Sequence, residues 1–212
     1  MNAQCIMVCS GKGGTGKSTV SVLLGACLAR LGRKTLLVEL DSGLRSVDII
    51  AGVYGRTVYD IEDVLCGRCE GAKAVVPSPL YPGLSVISAP YEGGAVEAAP
   101  LGRLLTAMRP YFDFILLDTA AGMGAPFTAA STVADKALLV LTERKTRQEI
   151  IVLIPNRKAE TIVKALDALE RKFGAVNFRK IFRSITVDNG SEFAAAEELE
   201  RSAVNKTIPR TK

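Results

Sequence analysis

Histidine is absent from this chain of 212 residues, and so is any long apolar run. No stretch approaches the roughly 20 apolar residues that a membrane-spanning helix needs. The N-terminus has no basic segment followed by an apolar signal core. We therefore expect a cytoplasmic protein. The composition, with 48% hydrophobic and 23% charged residues, is otherwise ordinary for a globular protein.

Cysteine is also scarce, and its count of five is odd. In a chain without a secretion signal this favours reduced thiols over a disulfide framework. Cys66 and Cys69 form a CxxC pair. Because no histidine is present, a tetrahedral zinc site could be completed only by the same pair in a second subunit. We favour the alternative, a reduced pair in a surface loop.

The segment from Ser10 to Thr19, SGKGGTGKST, is typical of a phosphate-binding P-loop. It follows a strand-like run, Cys5 to Ser10, and precedes apolar residues at helical spacing. Glycines let successive backbone N–H groups point at an anion, and the start of the helix adds its positive dipole end. The predicted phosphate-binding residues are Gly11, Lys12, Gly13, Gly14, Thr15, Gly16, Lys17, Ser18 and Thr19.

Two further segments predict buried parallel strands that end in an acidic residue. TLLVEL, Thr35 to Leu40, is followed by Asp41, and FDFILLDTAAG, Phe112 to Gly122, contains Asp118. Open α/β sheets bind ligands at the carboxyl ends of their strands. We predict that Ser18 and Asp118 hold Mg²⁺ beside the P-loop. Taken alone, Asp41 could merely cap a turn, and Asp118 could follow a buried strand by chance.

KGGTGKST, with its early Lys12, resembles the P-loop of the MinD/ParA family of ATPases. The resemblance implies an α/β fold with a largely parallel P-loop NTPase sheet, ATP and Mg²⁺ as ligands, and a role in cell division site placement or chromosome and plasmid partitioning. It further implies that Lys12 reaches a phosphate across an ATP-dependent homodimer and that Asp41 and Asp118 serve catalysis. The chain departs from the family at Glu39, usually aspartate, and at Ala120, usually proline.

Composition changes near Thr142. Residues 1–142 contain 12 basic residues (Lys and Arg) and 12 acidic residues (Asp and Glu), whereas residues 143–212 contain 15 basic and 10 acidic residues. Of the 19 glycines, 17 lie in the first part. Such a change predicts a domain boundary. We expect a truncated ATPase domain at residues 1–142 and a second unit at residues 143–212.

The second unit resembles the catalytic core of a DDE-type insertion-sequence transposase. The resemblance lies in residues 143–174, which begin with ERKTR and end with FG, and in ITVDNGSEF at residues 185–193. This implies a partial RNase H-like α/β fragment, with strands at residues 149–154 and 181–187 and an amphipathic helix between them. Asp188 would be the remnant of a metal-binding triad. A two-metal site needs several carboxylates, so we expect no transposase activity. Basic residues of this tail allow weak DNA contact, although a solvated surface is their simpler use.

Three hypotheses remain open from the sequence. The first is an ATP-binding ATPase that the fusion impairs. The second is a catalytically dead transposase remnant that binds DNA weakly, and the third is a fusion product without function. The paired P-loop and strand-end acids favour the first hypothesis.

Overall fold

A seven-stranded sheet in the order β3-β4-β2-β5-β1-β6-β7 forms the centre of the molecule. The computed structural model describes residues 3–10, 13–43, 45–93, 96–120, 125–143, 146–156, 158–185 and 200–204. The strands are β1 (Gln4–Cys9), β2 (Thr35–Glu39), β3 (Val76–Pro77), β4 (Leu84–Ile87), β5 (Phe114–Asp118), β6 (Lys136–Thr142) and β7 (Glu149–Ile154). The five inner strands are parallel, and β3 and β7 pair antiparallel at the two edges. The predicted largely parallel α/β sheet is confirmed.

Helices cover both faces of this sheet. They are α1 (Lys17–Arg30), α2 (Ser46–Ala51), α3 (Ile61–Leu65), α4 (Gly71–Ala74), α5 (Ala98–Met108), α6 (Ala125–Val133), α7 (Ala159–Phe173) and α8 (Ala175–Ile181), with a 3-10 turn at Arg109–Tyr111. The helices α1 and α2 share one apolar cluster with the sheet, and α5, α6, α7 and α8 share the other. Two-sided cover is what parallel strands with helical crossovers require.

The central strands are buried on both sides because each directs alternate side chains to opposite faces. In β2, Leu36 and Val38 join the cluster under α5, while Leu37 joins the cluster under α1. Each fully buried leucine contributes about 1.5–3 kcal/mol relative to an exposed one. This burial holds β2 and β5 side by side, with Glu39 paired to Asp118 in register. The strand ends predicted to carry the site are therefore adjacent.

Helix α1 packs on the sheet through small residues, which differs from the sequence expectation. The apolar positions at helical spacing include Leu23 and Leu31, but these side chains are 49% and 76% exposed. The buried positions include Ser21, Gly25 and Ala26. A Cβ at Gly25 would meet Leu84 and Leu116. At Gly25 the helix lies so close to the sheet that a larger side chain would displace Leu84, whereas Val20 and Val22 of the same helix are buried in the cluster.

Strand β7 and helix α7 extend the same sheet and core. All six residues of β7 pair with β6, from Thr142 opposite Glu149 to Ala137 opposite Ile154. The buried apolar side chains of α7 lie in the same cluster as β1 and β5; they are Ile162, Ala165, Leu166 and Leu169. The strand and helix predicted here are confirmed as elements. The RNase H-like arrangement expected for residues 143–212 is not confirmed.

The strand predicted at residues 181–187 is wrong where the structure describes it. Ile181 ends helix α8, and residues 182–185 lie outside any strand. Phe178 is fully buried and stacks on Phe182 with ring centroids 4.4 Å apart, which favours the helical turn that brings these rings together. Residues 186–199, including Asp188, lie outside the described residues.

Within the described part of the chain, no helix combines the length and the apolar character that crossing a membrane requires.

Candidate functional site

A glycine-rich loop joins β1 to α1 at the carboxyl edge of the sheet. Gly14 and Gly16 have φ values of 70° and 78°, in the left-handed region that favours glycine, and Gly16 is the N-cap of α1. The first N–H groups of α1 therefore face the inside of the loop without a capping side chain. Such a helix start suits an anion. Gly11 and Lys12 lie outside the described residues.

Lys17 brings a positive charge into this loop. Its side chain is only 7% exposed, and its Nζ donates to Ser10 Oγ at 3.2 Å. Thr15 Oγ1 donates to the same Ser10 oxygen at 2.7 Å. A buried ammonium group with hydroxyl partners gains when an anion arrives. Gly13 and Thr19, also predicted to contact phosphate, are exposed beside it.

Asp118, at the end of β5, lies directly beneath the start of α1. Its carboxylate is fully buried and accepts hydrogen bonds from Ser18 Oγ at 2.7 Å and Ser21 Oγ at 2.8 Å. Burial raises the pKa of Asp118, although the two hydroxyl donors and the charge of Lys17 act against the rise. A hydroxyl and a carboxylate oxygen are the hard ligands that Mg²⁺ takes. The structure thus brings together the two residues predicted to hold the metal, and their donor set fits it.

A small polar pocket of about 80 Å³ opens beside Ser18. Its walls are Ser18, Glu39, Asp41, Ser42, Arg45 and Ser46. Asp41 is half-buried just after β2, as expected from its place at a strand end. The pocket is where a group held by Ser18 would meet Asp41.

Glu39 is tied to the backbone around this pocket. Its carboxylate accepts from Val47 N at 3.2 Å and from Ala89 N at 3.3 Å. Burial raises the pKa of Glu39 to about 7, against the lowering effect of these two hydrogen bonds. The longer side chain thus links β2 to α2 and to the segment after β4.

Arg45 is a pocket residue that the sequence analysis did not single out. Its backbone has a φ of 46°, its side chain is 6% exposed, and its Nη2 lies 2.5 Å from Asp48 Oδ2. The guanidinium also lies over the ring of Tyr91, 4.3 Å from the centroid. The strained backbone and the buried charge are visible only in three dimensions, so no local pattern could have identified this residue.

The turn between β6 and β7 contacts the glycine loop. This contact was not predicted from the sequence. Thr142 Oγ1 donates to the carbonyl oxygen of Thr15 at 2.9 Å, and Arg147 Nη1 donates to that of Gly14 at 3.4 Å. The carboxylate of Glu149 lies against Gly16, because a Cβ there would overlap its Oε1. Thr142 ends the predicted first unit and Glu149 begins the next element, so the site draws on both sides of the predicted boundary.

The other predicted positions lie away from this site. Cys66 is exposed, Cys69 is half-buried, and both are free thiols. Burial raises the pKa of the Cys69 thiol. Among the described residues, no group of three or more histidine, cysteine, aspartate or glutamate side chains is placed to hold a metal ion. Asp188 lies outside the described residues, as do Arg144, Lys145 and Arg157 of the basic tail.

The fold and the loop together define a class of protein. A model of the CobQ/CobB/MinD/ParA nucleotide binding domain matches residues 6–201. The chain therefore belongs to this family of nucleotide binding domains.

Within the family, the chain is similar to the septum site-determining protein MinD. MinD of Synechocystis sp. is 40% identical over 139 residues, which are 65% of this chain and 52% of that protein. The chain thus spans about half the length of the curated relatives it matches.

Solved structures of MinD have the same fold. A MinC:MinD cell division protein complex from Aquifex aeolicus superposes with a TM-score of 0.61 at 31% identity, over 82% of this chain and 64% of that chain. MinD of Pyrococcus horikoshii OT3, complexed with Mg-ADP, superposes with a TM-score of 0.58 at 24% identity, over 80% of this chain and 66% of that chain. The second likeness concerns the fold alone.

Proposed function

We propose that this protein binds ATP with Mg²⁺ and is an ATPase of the MinD/ParA class. The observation that carries the proposal is the hydrogen bond of 2.7 Å between Ser18 Oγ and Asp118, at the start of the helix that follows the glycine loop. It places a metal-binding hydroxyl and a buried carboxylate at one point, next to the buried Lys17. P-loop NTPases use this constellation for nucleotide phosphates.

Different groups of the loop bind different parts of the nucleotide–metal complex. Backbone N–H groups of residues 13–18 surround the phosphates, and Lys17 pairs with their negative charge. Ser18 and Asp118 would hold Mg²⁺, which would supply positive charge against the phosphates. For hydrolysis, Asp41 orients the attacking water from the neighbouring pocket, and Lys12 acts across an ATP-dependent homodimer.

We propose that binding is weak and that turnover is low. Glu39 is held by Val47 N and Ala89 N, so this carboxylate serves the backbone in place of the shorter aspartate usual in the family. Ala120 replaces the usual proline.

The cellular role that this class supports is placement of the cell division site by a cytoplasmic protein. Synechocystis sp. MinD is named a septum site-determining protein, and Aquifex aeolicus MinD was solved in complex with MinC. A nucleotide-dependent homodimer that binds a MinC-like partner follows by similarity to these proteins. Chromosome or plasmid partitioning is the other role known for the class.

We further propose that residues 143–212 derive from a transposase core fragment and impair the ATPase. Its support is the motif from Asp188 to Phe193 and the change in charge and glycine content at Thr142. The division at Thr142 stays a prediction, and β7 and α7 beyond it extend the same sheet and core. Weak DNA contact and a fusion product without function remain the alternatives.

Calorimetric titration with ATP and Mg²⁺ tests nucleotide binding directly. Lys17→Ala should weaken it about 10- to 100-fold, since a hydrogen bond to a charged group contributes about 1.5–3 kcal/mol. Lys73→Ala, at an exposed lysine on α4, is the matched control and should bind like the unmodified protein. Circular dichroism of both variants checks folding. Unchanged affinity in a folded Lys17→Ala variant, or no binding by the unmodified protein, would refute the proposed function.

A further inference from the structure

The turn between β6 and β7 holds two opposite charges against the glycine loop. Arg147 Nη1 donates to Gly14 O, and the Glu149 carboxylate lies beside Gly16. The hydrogen bond from Thr142 Oγ1 to Thr15 O fixes the start of the turn to the same loop. Three successive residues of the loop, Gly14 to Gly16, are therefore each contacted by this turn.

Hydrogen bonds within the turn keep these charges in place. The Glu143 carboxylate accepts from Thr146 N at 2.5 Å and from Thr146 Oγ1 at 2.6 Å. Glu143 N donates to Gln148 O at 2.8 Å, and Arg147 N donates to Glu143 O at 2.9 Å. Strand β7 then begins at Glu149 and pairs with Thr142. The positions of the two charges thus follow from the hairpin itself.

Glu149 places a negative charge at the one end of α1 that attracts anions. Gly16 is the N-cap of this helix, and the N–H groups that follow it carry partial positive charge. Among the residues that the structure describes, no hydrogen bond or salt bridge reaches the Glu149 carboxylate. Burial alone raises the pKa of Glu149. Because no described salt bridge neutralises it, the charge of this partly buried carboxylate acts on the loop.

We propose, on the basis of the nucleotide binding proposed above, that Glu149 is an affinity-determining residue that opposes nucleotide phosphates at the P-loop. Its carboxylate lies against Gly16, the N-cap of the helix whose first N–H groups phosphate oxygens would use. Arg147, two residues before Glu149, acts in the opposite sense. The hairpin that extends the ATPase sheet therefore sets how tightly, and for how long, the loop holds its nucleotide.

Charge-neutralising variants with opposite expected signs test this inference. Calorimetric titration should show ATP and ADP, each with Mg²⁺, binding about 3- to 10-fold more tightly to Glu149→Gln, as expected for one charge near partly exposed phosphates. Arg147→Gln should bind both nucleotides more weakly. Glu160→Gln, at an exposed glutamate in the first turn of α7, removes the same charge away from the loop and should bind like the unmodified protein.

Salt supplies a readout that a purely structural role would not move. The gain in Glu149→Gln should shrink between low and high ionic strength, because exposed charges are screened. Thermal melting without nucleotide checks that the variants are folded. If folded Glu149→Gln binds nucleotide equally or more weakly, the inference about Glu149 is overturned, but the proposed function is not. Weaker binding would be expected if the carboxylate accepts a hydrogen bond from the ribose. Absence of binding by the unmodified protein and Glu149→Gln alike overturns both this inference and the proposed function.

Discussion

Neutralising Glu39 should remove a large pH dependence from the stability of the nucleotide-free protein. Burial raises the pKa of Glu39 to about 7 from its ordinary value of 4.5. The folded state therefore binds a proton that the unfolded state has already released between these two values. By linkage, the folded protein loses stability as the pH rises from about 4.5 through about 7.

The size of this loss follows from the shift. One pKa unit corresponds to about 1.4 kcal/mol, so the step from 4.5 to about 7 contributes about 2–3 kcal/mol between pH 5 and pH 8. The side chain of Glu39 is 1% exposed, so solvent does not screen its charge appreciably. Glu39→Gln has no charge to lose over this range. Its single amide oxygen can accept from only one of Val47 N and Ala89 N, which costs about 1–3 kcal/mol at every pH.

Urea denaturation at pH 5 and pH 8, with a chelator and without nucleotide, measures both effects. The unmodified protein should lose about 2–3 kcal/mol more than Glu39→Gln between the two pH values. Titrating groups remote from Glu39 contribute equally to both proteins and cancel in the difference. An equal loss in the two proteins would refute the reasoning, because Glu39 would then be ionised in the folded state throughout.

Gly25→Ala should destabilise the protein by about 1–3 kcal/mol in thermal or urea unfolding, because the new Cβ would press on Leu84 under α1. Alanine is a better helix former than glycine by about 0.5–1 kcal/mol. A more stable Gly25→Ala variant would therefore show that α1 does not lie this close to the sheet. The protein should show no Mg²⁺-dependent cleavage or strand transfer of DNA, since the lone Asp188 cannot hold two metal ions. Cleavage that Asp188→Ala abolishes would contradict this expectation.

Local sequence was enough to predict the parts of the site that lie within short contiguous segments. The glycine loop, the strand before it and the helix after it occupy one run of the chain, so their geometry follows from the residues themselves. Asp41 and Asp118 each follow an apolar strand. Because parallel strands carry such residues to the same edge, their neighbourhood could also be predicted.

Interactions between distant segments decided the rest. The spacing of leucines in α1 indicated a helix, but only the sheet decides that the small residues Ser21 and Gly25 face it. Strand β7 was predictable as a strand, but the contact of Glu149 with Gly16 is not encoded in nearby residues. Periodicity reports which residues share a face of one element. Which elements meet depends on packing between residues that are distant in the chain, and that packing set the charges around the loop.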